Sequence, residues 1–362
     1  MQRRQFLKNV GVGAAAGATA PFIATASAQE TITWNMVTSW PKNFPALGTG
    51  ANDFAERIER MSGGRMKIRV HGAGELVPAM EVFDAVGQGT AQLGHSASYY
   101  WRGKTLAAQF FTAVPFGMTT TETNAWLYHG GGQALWDELY AEHNLKPFAV
   151  GNTGTQMGGW FKKEIHSLED MQGLKLRLPG LAGEAMNRIG VTTVSTPGAE
   201  IFTSMQTGVL DAADWVGPYN DLAFGLHQVA PYYYTSAWNE PSAVLEGTVN
   251  LDAWNALPDD LKAVVSEAAM AANMAMISEF AVRNAEALET LVDEHGVQLR
   301  TFPEEVLVAL HDAAREVLAE QVEKDETSRR VYDSYTAFQQ RVRRFTDVGE
   351  LAYLKTREKV GA

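Results

Sequence analysis

A chain of 362 residues with no cysteine and with 42 acidic against 30 basic side chains excludes several classes of protein. Without thiols it can form no disulfide, no cysteine-ligated iron–sulfur cluster and no thiolate metal site. A net charge of −12 lacks the basic surface that nucleic-acid binding needs, and the chain is long enough to bury a stable core without cross-links.

The first thirty residues read as an address. Gln2-Arg3-Arg4-Gln5-Phe6-Leu7-Lys8 carries a twin arginine, a Gly/Ala-rich stretch follows, and Ala26-Ser27-Ala28 offers the small-x-small pattern of a signal-peptidase site. This predicts a twin-arginine leader over residues 1–28, export to a bacterial periplasm and a mature chain starting at Gln29. Loss of Arg3, Arg4 and Lys8 would leave 27 basic against 42 acidic side chains, a net charge of −15. Nothing after residue 30 is apolar for long enough to span a bilayer, so a role in transport needs another protein to provide the channel.

Residues 31–36 alternate as a first strand. Asn52 to Met61 reads as an amphipathic helix stopped by Gly63-Gly64, and Met66 to Val70 alternates again. A helix over 78–88 and a strand over 90–95 complete a βαβαβ pattern, which implies a largely parallel sheet. A helix near 122–142 leads to a strand near 146–151, another from Leu174 to Leu178, and a helix at 181–189. Pro258-Asp259-Asp260 opens a long Ala- and Met-rich helix to about His295, where Gly296 stops it. At that length it braces more than one lobe. Strand 297–301 and charged amphipathic helices from Pro303 onward close the chain.

One pattern occurs twice, 119 positions apart: Pro78-Ala79-Met80-Glu81-Val82-Phe83 with Gly89, and Pro197-Gly198-Ala199-Glu200-Ile201-Phe202 with Gly208. Tyr100 and Tyr219 stand eleven residues beyond the two glycines. Two copies of one supersecondary unit imply two similar lobes with aromatics at equivalent edges, where ligands of open α/β sheets gather.

Two fragments imitate a serine hydrolase. Gly94-His95-Ser96-Ala97-Ser98 nearly spells a nucleophile elbow, and His129-Gly130-Gly131-Gly132 resembles an oxyanion-hole loop. The elbow lacks its closing Gly and the glycine loop follows the nucleophile instead of preceding it, so turn glycines and a helix cap explain both. No metalloprotease His pairing and no phosphate-cradling Gly-Lys-Ser/Thr loop is present.

Four other places suit recognition. Arg177, within Gly173-Leu174-Lys175-Leu176-Arg177-Leu178-Pro179, is either a solvated edge-strand charge or a bidentate clamp on a carboxylate. Gly151 to Trp160 sets Asn152 and Gln156 among glycines, as a hinge crossing or a loop close to a ligand. Asp211 to Asp221 places Trp215 and Tyr219 around Gly217-Pro218, a packed turn or the wall of a small cavity. Glu240 follows Tyr232 to Tyr234 and Trp238-Asn239; it sits in water at a turn, or is desolvated and needs a cation or donors.

Taken in order and spacing, these segments resemble the solute-binding proteins of tripartite ATP-independent periplasmic transporters. The resemblance spans essentially the whole mature chain, including Gly74-Glu75-Leu76-Val77-Pro78, Val114-Pro115-Phe116-Gly117 and Gly173 to Pro179. The stretches Gly151 to Phe161 and Asp214 to Tyr219 are similar to the subgroup that binds 2-oxo or 2-hydroxy monocarboxylates, pyruvate- or lactate-like, with a metal ion. The resemblance implies an α/β, two-lobed periplasmic binding fold with a long bracing helix and C-terminal helices. Lobe I would take 29–151 with about 241–257, lobe II 152–240, and residues 258–362 would pack on both.

It further implies that Arg177 holds the ligand carboxylate. Gln156, the Trp215 main-chain carbonyl and Glu240 would ligate the metal, and Tyr99, Tyr100, Asn152 and Trp238 would line the cavity. Asn239 stands where relatives tend to carry a second aromatic. Charge counting supports the metal independently: the ligand carboxylate and Glu240 bring two negative charges, and Arg177 offsets one. Oxygen ligands suit a hard cation; sodium would leave the site neutral and calcium would leave it at +1. The implied partners are a small organic acid and membrane permease subunits, with no nucleic acid and no covalent chemistry. The long C-terminal helices leave room for a homodimer.

Overall fold

The structure, a computed structural model, describes residues 31–361. The twin-arginine leader over residues 1–28 lies outside the described residues.

Eleven strands among the described residues, numbered in chain order, divide between two sheets, one to each lobe. Strands β1 (Ile32–Thr38), β2 (Met66–His71), β3 (Leu93–Ser96) and β4 (Leu145–Asn152) begin the first. Strands β5 (Gly159–Phe161), β6 (Lys175–Arg177), β7 (Thr192–Val194), β8 (Ala212–Ala213) and β9 (Tyr232–Tyr234) build the second. The chain then returns to the first sheet with β10 (Val244–Asn250) and to the second with β11 (Gln298–Arg300). The first sheet has the order β2-β1-β3-β10-β4 and the second β11-β9-β5-β8-β6-β7.

The expected parallel pairing holds for β1 with β2 and β3, but β10 runs antiparallel to both β3 and β4. The first sheet is therefore mixed. Its reason is the crossing: the chain leaves lobe I along β4 and comes back beside it, so the two adjacent strands run in opposite directions. The second sheet is mixed as well, with β5 antiparallel to β8 and β9.

The duplicated pattern folds the same way twice. A 3₁₀ turn (Ala79–Glu81, Gly198–Glu200) runs into a six-residue helix (Val82–Gly87, Ile201–Gln206). Gly89 and Gly208 then both take φ +79°, a left-handed conformation that only glycine adopts without strain. The helix expected near 122–142 is two helices, Thr120–His129 and Gly132–Ala141, because Gly131 turns the chain at φ 92°.

The long helix runs from Asp259 to Glu289, continues as a π-helical turn over Thr290–Glu294, and ends at Gly296. It packs on β4 and helix Leu47–Met61 of lobe I and on helix Pro218–Ala223 of lobe II. At its crossing with lobe I the Met276 thioether fills the space that side chains at Gly50 and Gly151 would occupy. Helices Glu304–Lys324, Glu326–Val348 and Glu350–Val360 finish the chain, and the last buries none of its residues. No described helix is long and apolar enough to cross a membrane.

Candidate ligand and cation site

Two strands of chain pass side by side between the lobes, and they carry much of the site. Thr153 N–H donates to the Ala243 carbonyl, Thr155 Oγ1 to Pro241 O and Gln156 N–H to Glu240 O, at 3.0, 3.2 and 3.3 Å. Gly158 N–H then reaches Tyr234 O at 2.7 Å, entering the second sheet. Gln156 and Glu240 are thereby fixed opposite one another at the crossing.

Arg177 closes strand β6. That strand is interior, paired with β7 on one side and β8 on the other, so the edge-strand alternative for Arg177 does not hold. Lys175 on the outer end is exposed, whereas Arg177 at the cleft end is 0 % exposed. The guanidinium is anchored within its own lobe through Nε to Thr196 O (3.2 Å) and Nη1 to Asp214 O (2.8 Å). Its Nη2 reaches across to the Tyr100 hydroxyl of lobe I at 3.2 Å. The Trp215 ring lies 5.2 Å from the guanidinium carbon, within cation–π range. Three of the five N–H donors are used, which leaves two for an anion. Burial opposes this charge, but Tyr100, Tyr99, Asp214 and Glu240 outweigh it and raise the Arg177 pKa further.

Lobe I answers with aromatics. The 3₁₀ turn Ser98–Trp101 presents Tyr99 and Tyr100, whose rings meet edge to face at 4.8 Å. Trp40 stands beside them, 6.3 Å from Tyr100 and 6.2 Å from Trp215. Trp40 Nε1 donates to His95 Nδ1 at 2.7 Å, and burial holds that imidazole neutral, with its pKa down at about 3. Tyr99, Tyr100, Gln156 and Trp215 share one cavity with Trp40 and Thr153. Its volume is about 10 Å³, room for about one water. A cavity of this size has no room for an acid of several heavy atoms in this arrangement.

Oxygen atoms with nothing to bind collect at the crossing. Gln156 Nε2 donates to Thr153 Oγ1 (3.1 Å), but Gln156 Oε1 and Glu240 Oε2 are buried without a hydrogen-bond partner. Asp214 Oδ2 and both polar atoms of the Asn239 amide are in the same state. Burial, then the Asp214 charge, pushes the Glu240 carboxyl well above the usual carboxylate range, with Arg177 opposing. Burial likewise raises Asp214 to about 7. Unpartnered buried oxygens from an amide and carboxylates fit a hard cation such as sodium or calcium, and the residues present suit the expected metal on this ground. An amide and carboxylates without imidazole or thiolate are not the usual donors of zinc.

The remaining sequence-derived candidates fall elsewhere. Asn152 is wholly buried but turned to the hinge, its amide donating to Ser242 Oγ (2.9 Å) and accepting from Gly154 N–H (2.8 Å). Tyr219 packs on the long helix, 6.4 Å from the Phe280 ring, with its N–H on Asn284 Oδ1 at 3.0 Å. The helix starting at Pro218 carries it there, out of register with Tyr100. Trp238 is buried, its ring tilted against Phe116 at 5.7 Å, and its indole N–H is unpartnered. The hydrolase-like fragment is scaffold: His95 serves Trp40, and Ser96 Oγ bonds Ser39 Oγ at 2.6 Å.

Sequence reasoning missed three groups. Asp214 and Trp40 adjoin the ligand-side groups, and Asp221 fixes the Trp215–Gly217 turn. Asp221 Oδ1 accepts from Val216 and Gly217 N–H (3.1 and 3.2 Å), and its Oδ2 from Trp160 Nε1 and Tyr233 OH (2.9 and 2.7 Å). The one available clue was an acid three residues after a Gly-Pro, the position of a helix-start anchor.

This geometry, a two-lobed α/β scaffold shut over a buried arginine, is that of a solute receptor. The chain belongs to the DctP family of bacterial extracellular solute-binding proteins, family 7, whose model matches residues 36–325. It is 41 % identical over 360 residues, 98 % of each chain, to a monocarboxylate 2-oxoacid-binding periplasmic protein of Nostoc sp.. A solute-binding protein of Pseudoalteromonas atlantica, solved with bound sodium and pyruvate, is 42 % identical with a TM-score of 0.88, over 90 % of this chain and 99 % of that one. Its counterpart from Colwellia psychrerythraea, solved with calcium and pyruvate, is 40 % identical with a TM-score of 0.88, over 90 % of this chain and 100 % of that one.

Proposed function

We propose that this protein captures a small 2-oxo or 2-hydroxy monocarboxylate, pyruvate or lactate in kind, together with a sodium or calcium ion. It would deliver the acid to membrane permease subunits and perform no covalent chemistry. One observation carries the reading: the buried Arg177 guanidinium, with two free donors, bonds Tyr100 and feels the Glu240 and Asp214 charges, while oxygens of Gln156 and Glu240 are buried without partners. Arg177 would clamp the ligand carboxylate, a planar anion its fork fits. Gln156, Glu240 and the Trp215 carbonyl would hold the cation, which supplies positive charge to the carboxylate and 2-oxygen. Tyr99, Tyr100 and Trp215 would exclude water from both.

Asp214 changes the charge balance expected from sequence. With Glu240, Asp214 and the ligand ionised against Arg177, calcium makes the site neutral. Sodium does so only with one proton retained between Glu240 and Asp214, whose pKa values burial raises. A dicarboxylate would need a second buried cation, and exposed Lys175 does not supply one. A site built to hold a 2-oxygen rejects acids lacking it by far more than it rejects a longer tail.

Relatives are periplasmic by name, and export of this chain through its twin-arginine leader is part of the same proposal, as are hinged lobes at the boundaries given above. A homodimer would cover Phe345, Val348, Tyr353 and Val360, exposed apolar side chains of the last two helices. Calorimetric titration of pyruvate into the purified protein tests the ligand reading, with calcium, with sodium, and with neither. Tight binding that needs a cation supports it. Equal affinity in chelated, sodium-free buffer removes the cation, and no binding of any 2-oxo or 2-hydroxy acid removes the ligand class.

A further inference from the structure

Tyr99 and Tyr100 sit on a short turn that has to be rigid if it is to meet Arg177 each time the lobes close. What holds the turn is a carboxylate that touches no ligand. Glu246, in the middle of β10, is 0 % exposed. Its Oε2 accepts from Ser98 Oγ at 2.5 Å and from Tyr140 OH at 2.6 Å, and its Oε1 from Trp101 Nε1 at 2.5 Å. Ser98 and Trp101 are the first and last residues of the turn, and the two tyrosines lie between them. Tyr140 comes from helix Gly132–Ala141, so the carboxylate ties turn, sheet and helix together. The strand bulges between Leu245 and Glu246, which sets the Glu246 side chain where it can reach the turn.

We infer that Glu246 is a positioning residue of the ligand site, holding the Ser98–Trp101 turn so that Tyr100 meets Arg177 in the closed protein. The chemistry favours this assignment over plain core packing. A buried carboxylate is a costly way to fill space, and burial does raise the Glu246 pKa, with the three donors opposing. Two of those donors belong to the turn that carries Tyr99 and Tyr100. Both ends of that turn are clamped through charge-assisted hydrogen bonds, which are stronger and more directional than neutral ones.

The inference rests on the ligand reading above, and the experiment separates the two. Pyruvate is titrated calorimetrically, in calcium buffer, into full-length wild type and Glu246→Ala, Glu246→Gln, Ser98→Ala, Tyr100→Phe and Arg177→Lys. Glu246→Ala is expected to raise Kd at least tenfold, roughly the loss of one charge-assisted hydrogen bond, with stoichiometry near one. Glu246→Gln should stay within about threefold, since its amide can donate to both hydroxyls while its oxygen keeps the Trp101 N–H. In the Glu246→Ala background, Tyr100→Phe should cost less than it costs alone, because the two act on one contact.

A merely structural Glu246 would lower the melting temperature and the fraction of competent protein but leave Kd unchanged, and that result overturns the inference. Should Glu246→Ala not fold, Ser98→Ala decides: a Kd raised several-fold supports the inference, and an unchanged Kd overturns it. If Tyr100→Phe and Arg177→Lys both bind pyruvate like wild type, the ligand reading fails and takes this inference with it. If those two weaken binding while Glu246→Ala and Ser98→Ala do not, only the role of Glu246 is lost.

Discussion

The two walls of the cleft are each held by a buried carboxylate, yet the two anchors are built differently. In lobe II, Asp221 takes two backbone N–H groups and the Trp160 indole, donors that cannot turn round, and one tyrosine hydroxyl that can. In lobe I, Glu246 takes one indole and two hydroxyls. The Asp221 nest demands a carboxylate, because either orientation of an amide sets its NH₂ against a fixed donor. The Glu246 nest accepts an amide by reversing its hydroxyls. The contrast fits the loads each wall carries. Lobe II must keep Arg177, Asp214 and the Trp215 carbonyl in register, whereas lobe I supplies aromatic faces.

The sharpest way to break this comparison is to remove the guanidinium fork that the lobe II wall holds in place. Arg177→Lys keeps a cation but loses the fork and the Asp214 and Thr196 anchors, and pyruvate affinity should fall by on the order of 10²-fold or more in calorimetry. An affinity within a few-fold of wild type would contradict the clamp.

Next in size, Asp221→Asn should destabilise the protein by about 2–3 kcal/mol in urea unfolding, the cost of an unpaired buried donor. Glu246→Gln should cost clearly less, and equal costs would erase the distinction between the anchors. Glu240→Gln should weaken pyruvate binding about tenfold in calcium while flattening its dependence on calcium concentration. A preserved calcium dependence would place the cation elsewhere.

Acid should then act through lobe I. His95 is held neutral with its pKa at about 3, below its unfolded value of 6.5. Between those two pH values the unfolded chain binds the extra proton, so stability is full above 6.5 and falls as pH drops toward 3. The slope from this residue is roughly 1.4 kcal/mol per pH unit. His95→Gln, which keeps an acceptor for Trp40, should flatten the acid limb of a stability–pH curve by about one proton. The smallest effect is expected at Tyr219, where substitution by Ala should change pyruvate affinity by less than about threefold because the ring rests on Phe280.

Much of the scaffold was legible because its punctuation is local. Gly89, Gly208 and Gly296 stop helices where the chain must turn left-handed, and Pro258 starts the long brace. The duplicated helix was readable for the same reason. Its downstream echo was not, since Tyr219 is held by residues of the long helix more than sixty positions further along the chain. The direction of β10 was equally hidden, because antiparallel pairing beside β4 follows from two crossings lying together in space. Within the site, Gln156, Trp215 and Glu240 stood out because each lies in a loop whose mixture of polar and aromatic side chains is odd for a plain turn. Asp214, Asp221 and Glu246 did not, since an acid on a short strand or helix start reads as a solvated surface charge until the fold encloses it.

Met276 offers a last consequence. Its thioether lies in a notch left by two residues without side chains, Gly50 on a lobe I helix and Gly151 where β4 nears the hinge. A methyl added at either glycine would meet chiefly the flexible tip of Met276, so the thioether and not the helix has to yield, and a shortened residue 276 should leave room for an alanine at 151.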